Sequence, residues 1–177
     1  MPHPYFADPI ISTITAFLHD IGLVVHASDL PDTTFLPGIR IIHGELVVDQ
    51  ARLRFPGDLL HEAGHLAVVP AARRQTIHDN VGSDPAEEMM AIAWSYAAAC
   101  HLAIDPALVF HEHGYRGGGA SLLENFRHGY YVGVPMLQWL GMTMDERQAA
   151  QHQVAPYPHM LRWLRQDEPA PDTKSIQ

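Results

Sequence analysis

The sequence predicts an α+β domain. Three observations carry this reading. Apolar residues recur at helical spacing in several segments. Two β-branched runs flank His43-Gly44. A strong helix-start signature stands at Asp84-Pro85. The expected architecture is a short β-hairpin or sheet packed on two central helices, followed by a mostly helical C-terminal half.

The elements follow in order. Residues 8 to 21 read as a helix: Asp8 caps it, Pro9 suits its first turn, and Ile10, Ile14, Phe17, Leu18 and Ile21 share one face. Gly22 stops it, and Leu23-Val24-Val25 reads as a short strand. Residues 29 to 37 hold Pro31-Asp32 and Pro37-Gly38 and read as a loop. Ile39 to Ile42 and Glu45 to Asp49 read as a hairpin turning at His43-Gly44. Residues 56 to 68 return to helical character, closed by Pro70. The polar stretch from Ala71 to Asp84 reads as a loop.

Asp84-Pro85 with Glu87-Glu88 then opens a helix that runs to about Leu102, with acids in the turn where the macrodipole favours them. Pro106 starts a short helix to about His113, and Gly117-Gly118-Gly119 reads as a flexible break. Ser121 to His128, Val134 to Leu140 and Asp145 to Leu164 carry further helical patterns, the last interrupted near Pro156 and Pro158. One domain over 1–165 is expected, with a core at 8–104 and a helical extension at 105–165. The polar, Pro-containing tail at 166–177 reads as disordered.

Composition narrows the function classes. Twenty acidic residues against eleven basic give a net charge of −9, which argues against nucleic acid or an anionic membrane as partner. A single cysteine, Cys100, excludes an internal disulfide and a Cys-rich zinc site; it reads as a small buried hydrophobe. The N-terminus lacks a basic region ahead of an apolar stretch, and the most apolar segment, Met89 to Ile104, is too short to span a bilayer. A soluble, cytoplasmic chain is expected. No sequence feature sets an oligomeric state. Thirteen histidines are the unusual number.

Two of those histidines stand in a motif. Residues 58 to 68 read DLLHEAGHLAV, and His61-Glu62-Ala63-Gly64-His65 matches HExxH. Residues four apart on a helix stand one above the other, so both imidazoles can reach one metal ion. Glu62 is then held beside a metal-activated water, whose proton it can take and pass to a leaving group. Leu59, Leu60, Leu66 and Val68 supply apolar flanks that bury the helix. Gly64 permits the close approach of a neighbouring strand.

A third protein ligand is needed, leaving a fourth position for water. A third His at the HExxHxxGxxH spacing is excluded, because those positions are Val68 and Ala71. The remaining source is Glu87-Glu88. Adjacent residues point about 100° apart on a helix, so one of the two at most can face the metal. Two histidines and a carboxylate suit Zn2+ best.

The stretch FLPGIRIIHGELVVDQARLRFPGDLLHEAGHLAV, residues 35 to 68, resembles the core of the ImmA/IrrE-type metallopeptidases, which are minimal gluzincins. That family shows a hairpin, a helix with HExGH, and a second helix whose motif is roughly Glu, Ala, Asn, two residues, Phe-Ala. Glu88-Met89-Met90-Ala91-Ile92-Ala93 stands in the corresponding place. The resemblance covers about residues 8 to 100 and implies a zincin-like fold. It implies His61 and His65 as metal ligands, Glu62 as the catalytic glutamate, and Glu88 as third ligand, with Glu87 the alternative. The usual Ala-Asn is Met89-Met90 here, and the DNA-binding domain of some members has no counterpart.

The expected activity is zinc-dependent hydrolysis of peptide bonds, with a peptide or protein as partner. Peptidases of this class often place a His or Tyr opposite the metal to stabilise the oxyanion, and His111, His113, Tyr115, His128 and Tyr130 are the candidates. Each is otherwise a loop or packing residue. Trp94, Tyr96, Trp139 and Trp163 read as core or half-buried, and the other histidines show no ligand spacing. A different class of function competes with this one: a catalytically silent metal-bound scaffold that senses a ligand or binds a protein. A plain interaction protein with an accidental HExxH is the third reading.

Overall fold

The computed structural model describes residues 6–166. His3 and the tail from 167 onward lie outside the described residues. The fold is α+β: the described residues form seven α-helices and a small three-stranded sheet.

Helix α1 is Pro9–Asp20. Its cap is the expected one: the Asp8 carboxylate accepts from the backbone N–H groups of Ile10 (2.8 Å) and Ile11 (3.0 Å). Strand β1 is Val25–Ala27, two residues later than Leu23-Val24-Val25 suggests. The shift reflects the turn after α1, where the Leu23 N–H is taken by the Leu18 carbonyl and therefore cannot join a ladder. Strands β2, Ile39–Ile42, and β3, Glu45–Val48, form the hairpin. His43 and Gly44 both have positive φ (51° and 78°), the conformation that a two-residue hairpin turn requires. The order is β1-β3-β2, with β1 parallel and β2 antiparallel to β3.

Helix α2, Gly57–Ala67, carries the HExxH residues. Its last carbonyls are held by two arginines. Arg74 donates to the Leu66 (2.6 Å) and Val69 (3.1 Å) carbonyls, and Arg165 donates to Val68 from the far end of the chain. A short helix α3, Ala71–Arg74, occupies part of the stretch expected to be loop. Pro70 at its cap and the capping task of Arg74 account for the extra turn.

Helix α4, Pro85–His101, starts as its signature predicts, with the Asp84 carboxylate accepting from the Ala86 N–H. It is buried on most of its circumference, because Ala91, Ala93, Ala97, Ala98 and Ala99 let neighbours approach closely. Its chief neighbour is α2. The neighbour of Gly64 is therefore a helix, not the strand anticipated. A Cβ at Gly64 would lie 2.9 Å from the Ala91 carbonyl oxygen and 3.2 Å from Ser95 Oγ. Cys100 is exposed, contrary to expectation, because the last turn of α4 leaves the core.

Beyond α4 two segments are less helical than their apolar spacing suggests. The segment after Pro106 is one 3-10 turn, Pro106–Leu108, and residues 110 to 118 form a loop. Gly117 ends a short 3-10 turn, while Gly119 packs tightly: a Cβ there would lie 2.6 Å from the His111 carbonyl oxygen. Helices α5 (Gly119–Arg127), α6 (Val134–Trp139) and α7 (Glu146–His152) follow. The last helical pattern, with its expected interruption near Pro156 and Pro158, is helical only as far as His152. Pro156 and Pro158 cannot continue it, and the chain turns back to bridge Thr143 with Met160. Trp139 is 70% exposed rather than buried. One hydrophobic cluster runs from Phe6 to Met160 and includes Leu59, Leu60, Leu66, Trp94, Phe126 and Leu137. No helix of the described residues is long and apolar enough to cross a membrane.

Candidate metal centre

Helical spacing and the α2/α4 contact together build the site. His61 and His65 stand one turn apart on α2, with rings edge to face at 4.7 Å between centroids. Their Nε2 atoms are 3.2 Å apart. Glu88, in the first turn of α4, reaches across, with one carboxylate oxygen 3.2 Å from His65 Nε2 and the other 3.6 Å from His61 Nε2. Gly64 makes this possible, since a Cβ there would meet the Ala91 backbone and the Ser95 hydroxyl of α4.

This group could hold a metal ion. Donor atoms about 2.0–2.2 Å from a tetrahedral ion lie about 3.4 Å from one another. The two Nε2 atoms stand 3.2 Å apart, close to that spacing, and with one Glu88 oxygen the three donors lie within 4.8 Å of one another, near enough to converge on one ion. The electrostatics agree. Burial lowers the His61 pKa to about 4, helped by neighbouring His65 and opposed by Glu88, so the ring is neutral and its lone pair available near neutral pH. The hydrogen bond with His65 holds the Glu88 carboxyl below its ordinary range, so that donor is ionised.

Glu87 points elsewhere. Its carboxylate pairs with Arg73 of α3, and it is buried on that side of α4. The 100° step between adjacent residues thus gives Glu88 to the histidines and Glu87 to Arg73.

Glu62 follows His61 on α2 and is half-buried. Burial pushes its carboxyl up to about 7; the charges of Asp58 and Glu88 add to this, and His65 opposes it. It lines a cavity of about 530 Å³ with Pro31, Thr34, Leu36, Ile39 and Ile41. Phe35, 92% exposed, stands on the rim. Arg40 and Asp79 close one side through a two-pronged pair at 2.6 and 2.8 Å.

The remaining candidates scatter. His113 is exposed beside Glu112, His128 is exposed beside Glu124, and Tyr130 is 72% exposed. His111 comes nearer: its Nε2 meets the Asp58 carboxylate at 2.8 Å, and its ring stacks on Phe55 at 4.0 Å. Burial raises the Asp58 pKa, and the bond to His111 opposes the shift. Tyr115 reaches the site itself, with its hydroxyl 3.2 Å from His61 Nδ1. Burial, with the carboxylates of Glu88, Asp58 and Glu62 around it, raises the phenol's pKa and keeps it protonated.

Asp58, Phe55, Arg73 and Ser95 escape a sequence reading. Asp58 alone carried a signal, four residues before Glu62 and so on its face of α2. Comparison with family models, with curated proteins and with solved structures finds no match for the chain.

Proposed function

We propose that the chain is a zinc-dependent metallopeptidase with a zincin-like core, of the kind its resemblance to the ImmA/IrrE-type enzymes implies. One observation carries the reading. His61 and His65 of α2 and Glu88 of α4 bring three metal-ligating donors within 4.8 Å of one another, and the side chain after His61 is a half-buried glutamate. Two imidazoles and one carboxylate favour zinc over the harder cations, which take oxygen donors. Among the described residues the group holds three donors, which leaves a fourth position for the substrate side.

Zinc bound there supplies Lewis-acid chemistry, polarising a carbonyl and drawing the pKa of a coordinated water toward neutrality. The chain's own residues do the rest. Glu62 takes the proton of the water that adds to the peptide carbonyl carbon. As the C–N bond breaks, Glu62 returns that proton to the departing amine nitrogen. Burial raises this carboxyl toward neutrality in the metal-free site, and the charge of a bound zinc ion would act in the opposite direction, favouring the carboxylate that accepts the proton. The cavity beside Glu62, apolar along Leu36, Ile39 and Ile41, receives the polypeptide next to the scissile bond.

The test is Glu62→Gln. It keeps about one zinc per chain and loses peptide hydrolysis by roughly 10²- to 10⁴-fold. Hydrolysis retained in that variant contradicts the mechanism. Zinc bound in the wild type without hydrolysis of any peptide in a diverse library favours the silent scaffold.

A further inference from the structure

The two ring nitrogens of His61 face different partners. Nε2 faces His65 Nε2 at 3.2 Å and Glu88 at 3.6 Å. Nδ1 faces the Tyr115 hydroxyl at 3.2 Å. A neutral imidazole has one lone pair, and it sits on Nε2 only when Nδ1 carries the proton. A hydrogen-bond acceptor at Nδ1 therefore decides which nitrogen is free. We propose that Tyr115 is a positioning residue for the metal centre: its hydroxyl oxygen accepts the Nδ1–H of His61, fixing both tautomer and ring rotation so that Nε2 aims at the ligand cluster. The proposal rests on the metal-site reading. It gives Tyr115 a task different from oxyanion stabilisation, since the phenol lies on the ring nitrogen opposite to the ligand atom.

The surrounding structure is built to deliver that hydroxyl. Tyr115 and Arg116 both have left-handed φ, 52° and 54°, a costly conformation for two consecutive non-glycine residues. Such a backbone persists only where its surroundings hold it. Here the 110–118 loop is fixed to α2 at two points three residues apart: His111 to Asp58 at 2.8 Å, and Tyr115 to His61. Phe55 stacks on His111, and Phe110 stacks on Tyr115 at 5.4 Å, so both anchoring rings are clamped. The Tyr115 ring also meets the His61 ring edge to face at 5.1 Å, a contact that phenylalanine would keep.

Tyr115→Phe separates the two roles, because it retains the ring packing and removes the oxygen. Wild type, Tyr115→Phe and a control on the same loop, His113→Ala, are titrated with Zn2+ against a chromophoric chelator, well below their melting transitions. The Co2+-loaded forms are compared by visible absorption. The expected result is a 10- to 100-fold loss of zinc affinity and an altered cobalt band in Tyr115→Phe only, with the metal-free melting temperature close to wild type. Equal affinity and an unchanged band in Tyr115→Phe overturn the positioning role while leaving the metal site standing. A wild type that takes up neither ion overturns both.

Discussion

Arg73 and Glu87 form an ion pair on the side of α4 that faces α3, and this pair turns one of two adjacent glutamates away from His61 and His65. Two adjacent glutamates each have the right donor for a metal. The guanidinium engages one, and the other stands against His61 and His65. The two glutamates therefore predict opposite phenotypes. Glu88→Gln lowers zinc affinity by at least about 100-fold, more than the 10- to 100-fold typical of losing a ligand's hydrogen-bond partner. Glu87→Gln leaves zinc affinity near wild type and costs about 1 kcal/mol of stability, through the weakened bond to Arg73. Isothermal titration with zinc and urea unfolding of both variants check this.

Metal removal changes stability by mass action, because the ligand triangle exists only in the folded chain. At free zinc 100-fold above the dissociation constant, the folded state gains about 2.7 kcal/mol. For a chain of this size that is about 5 to 10 °C in melting temperature. Chelation of the wild type should reverse this shift. In His65→Ala, chelator and zinc should leave the melting curve where it is.

Gly64→Ala tests whether the helix contact sets the site. Its Cβ would meet the Ala91 carbonyl oxygen at 2.9 Å, so α2 and α4 must part. Alanine is the better helix former, yet the crowding here dominates, and the expected cost is about 1–3 kcal/mol. Parting the helices also draws Glu88 from the histidines, so zinc affinity falls in the same variant. Chemical denaturation and zinc titration, run together, read both effects.

The clamp beside the cavity responds to acid. The bond from Arg40 holds the Asp79 carboxyl below its ordinary value of 3.8. A depressed carboxyl stabilises the folded state above its unfolded pKa, and this contribution is lost as pH falls through the folded value. The Asp79 N–H donates to the Ile41 carbonyl at 2.9 Å, so amide exchange at Asp79 reports the clamp. Its protection, corrected for the intrinsic pH dependence of exchange, should hold from neutrality to pH 3.8 and fall below it. Asp79→Asn should flatten that profile.

Local sequence signals and the structure agree where local physics decides. Asp8 and Asp84 cap their helices through their own carboxylates, and His43-Gly44 turns the hairpin. The HExxH residues sit on one helix because spacing alone requires it. The third donor needed a second helix. Its Glu-Glu start was visible, but the arginine that distinguishes the two glutamates stands 14 residues away from Glu87 and had no readable signal. His111 and Tyr115 stand among the sequence candidates, but their partners on α2 lie 53 and 54 residues away, a pairing no local pattern encodes. The apolar spacing between Asp145 and Leu164 overstates the last helix, which ends at His152, ahead of the interruption that Pro156 and Pro158 signal.

The central claim is a zinc ion held by His61, His65 and Glu88. Anomalous diffraction at the zinc edge, from crystals of protein purified without chelator, tests it most directly. The predicted result is one peak per chain, about 2.0–2.1 Å from both Nε2 atoms and about 2.0–2.2 Å from a Glu88 oxygen. An empty triangle after zinc loading, or a peak ligated by Glu87 or by residues elsewhere, would contradict it.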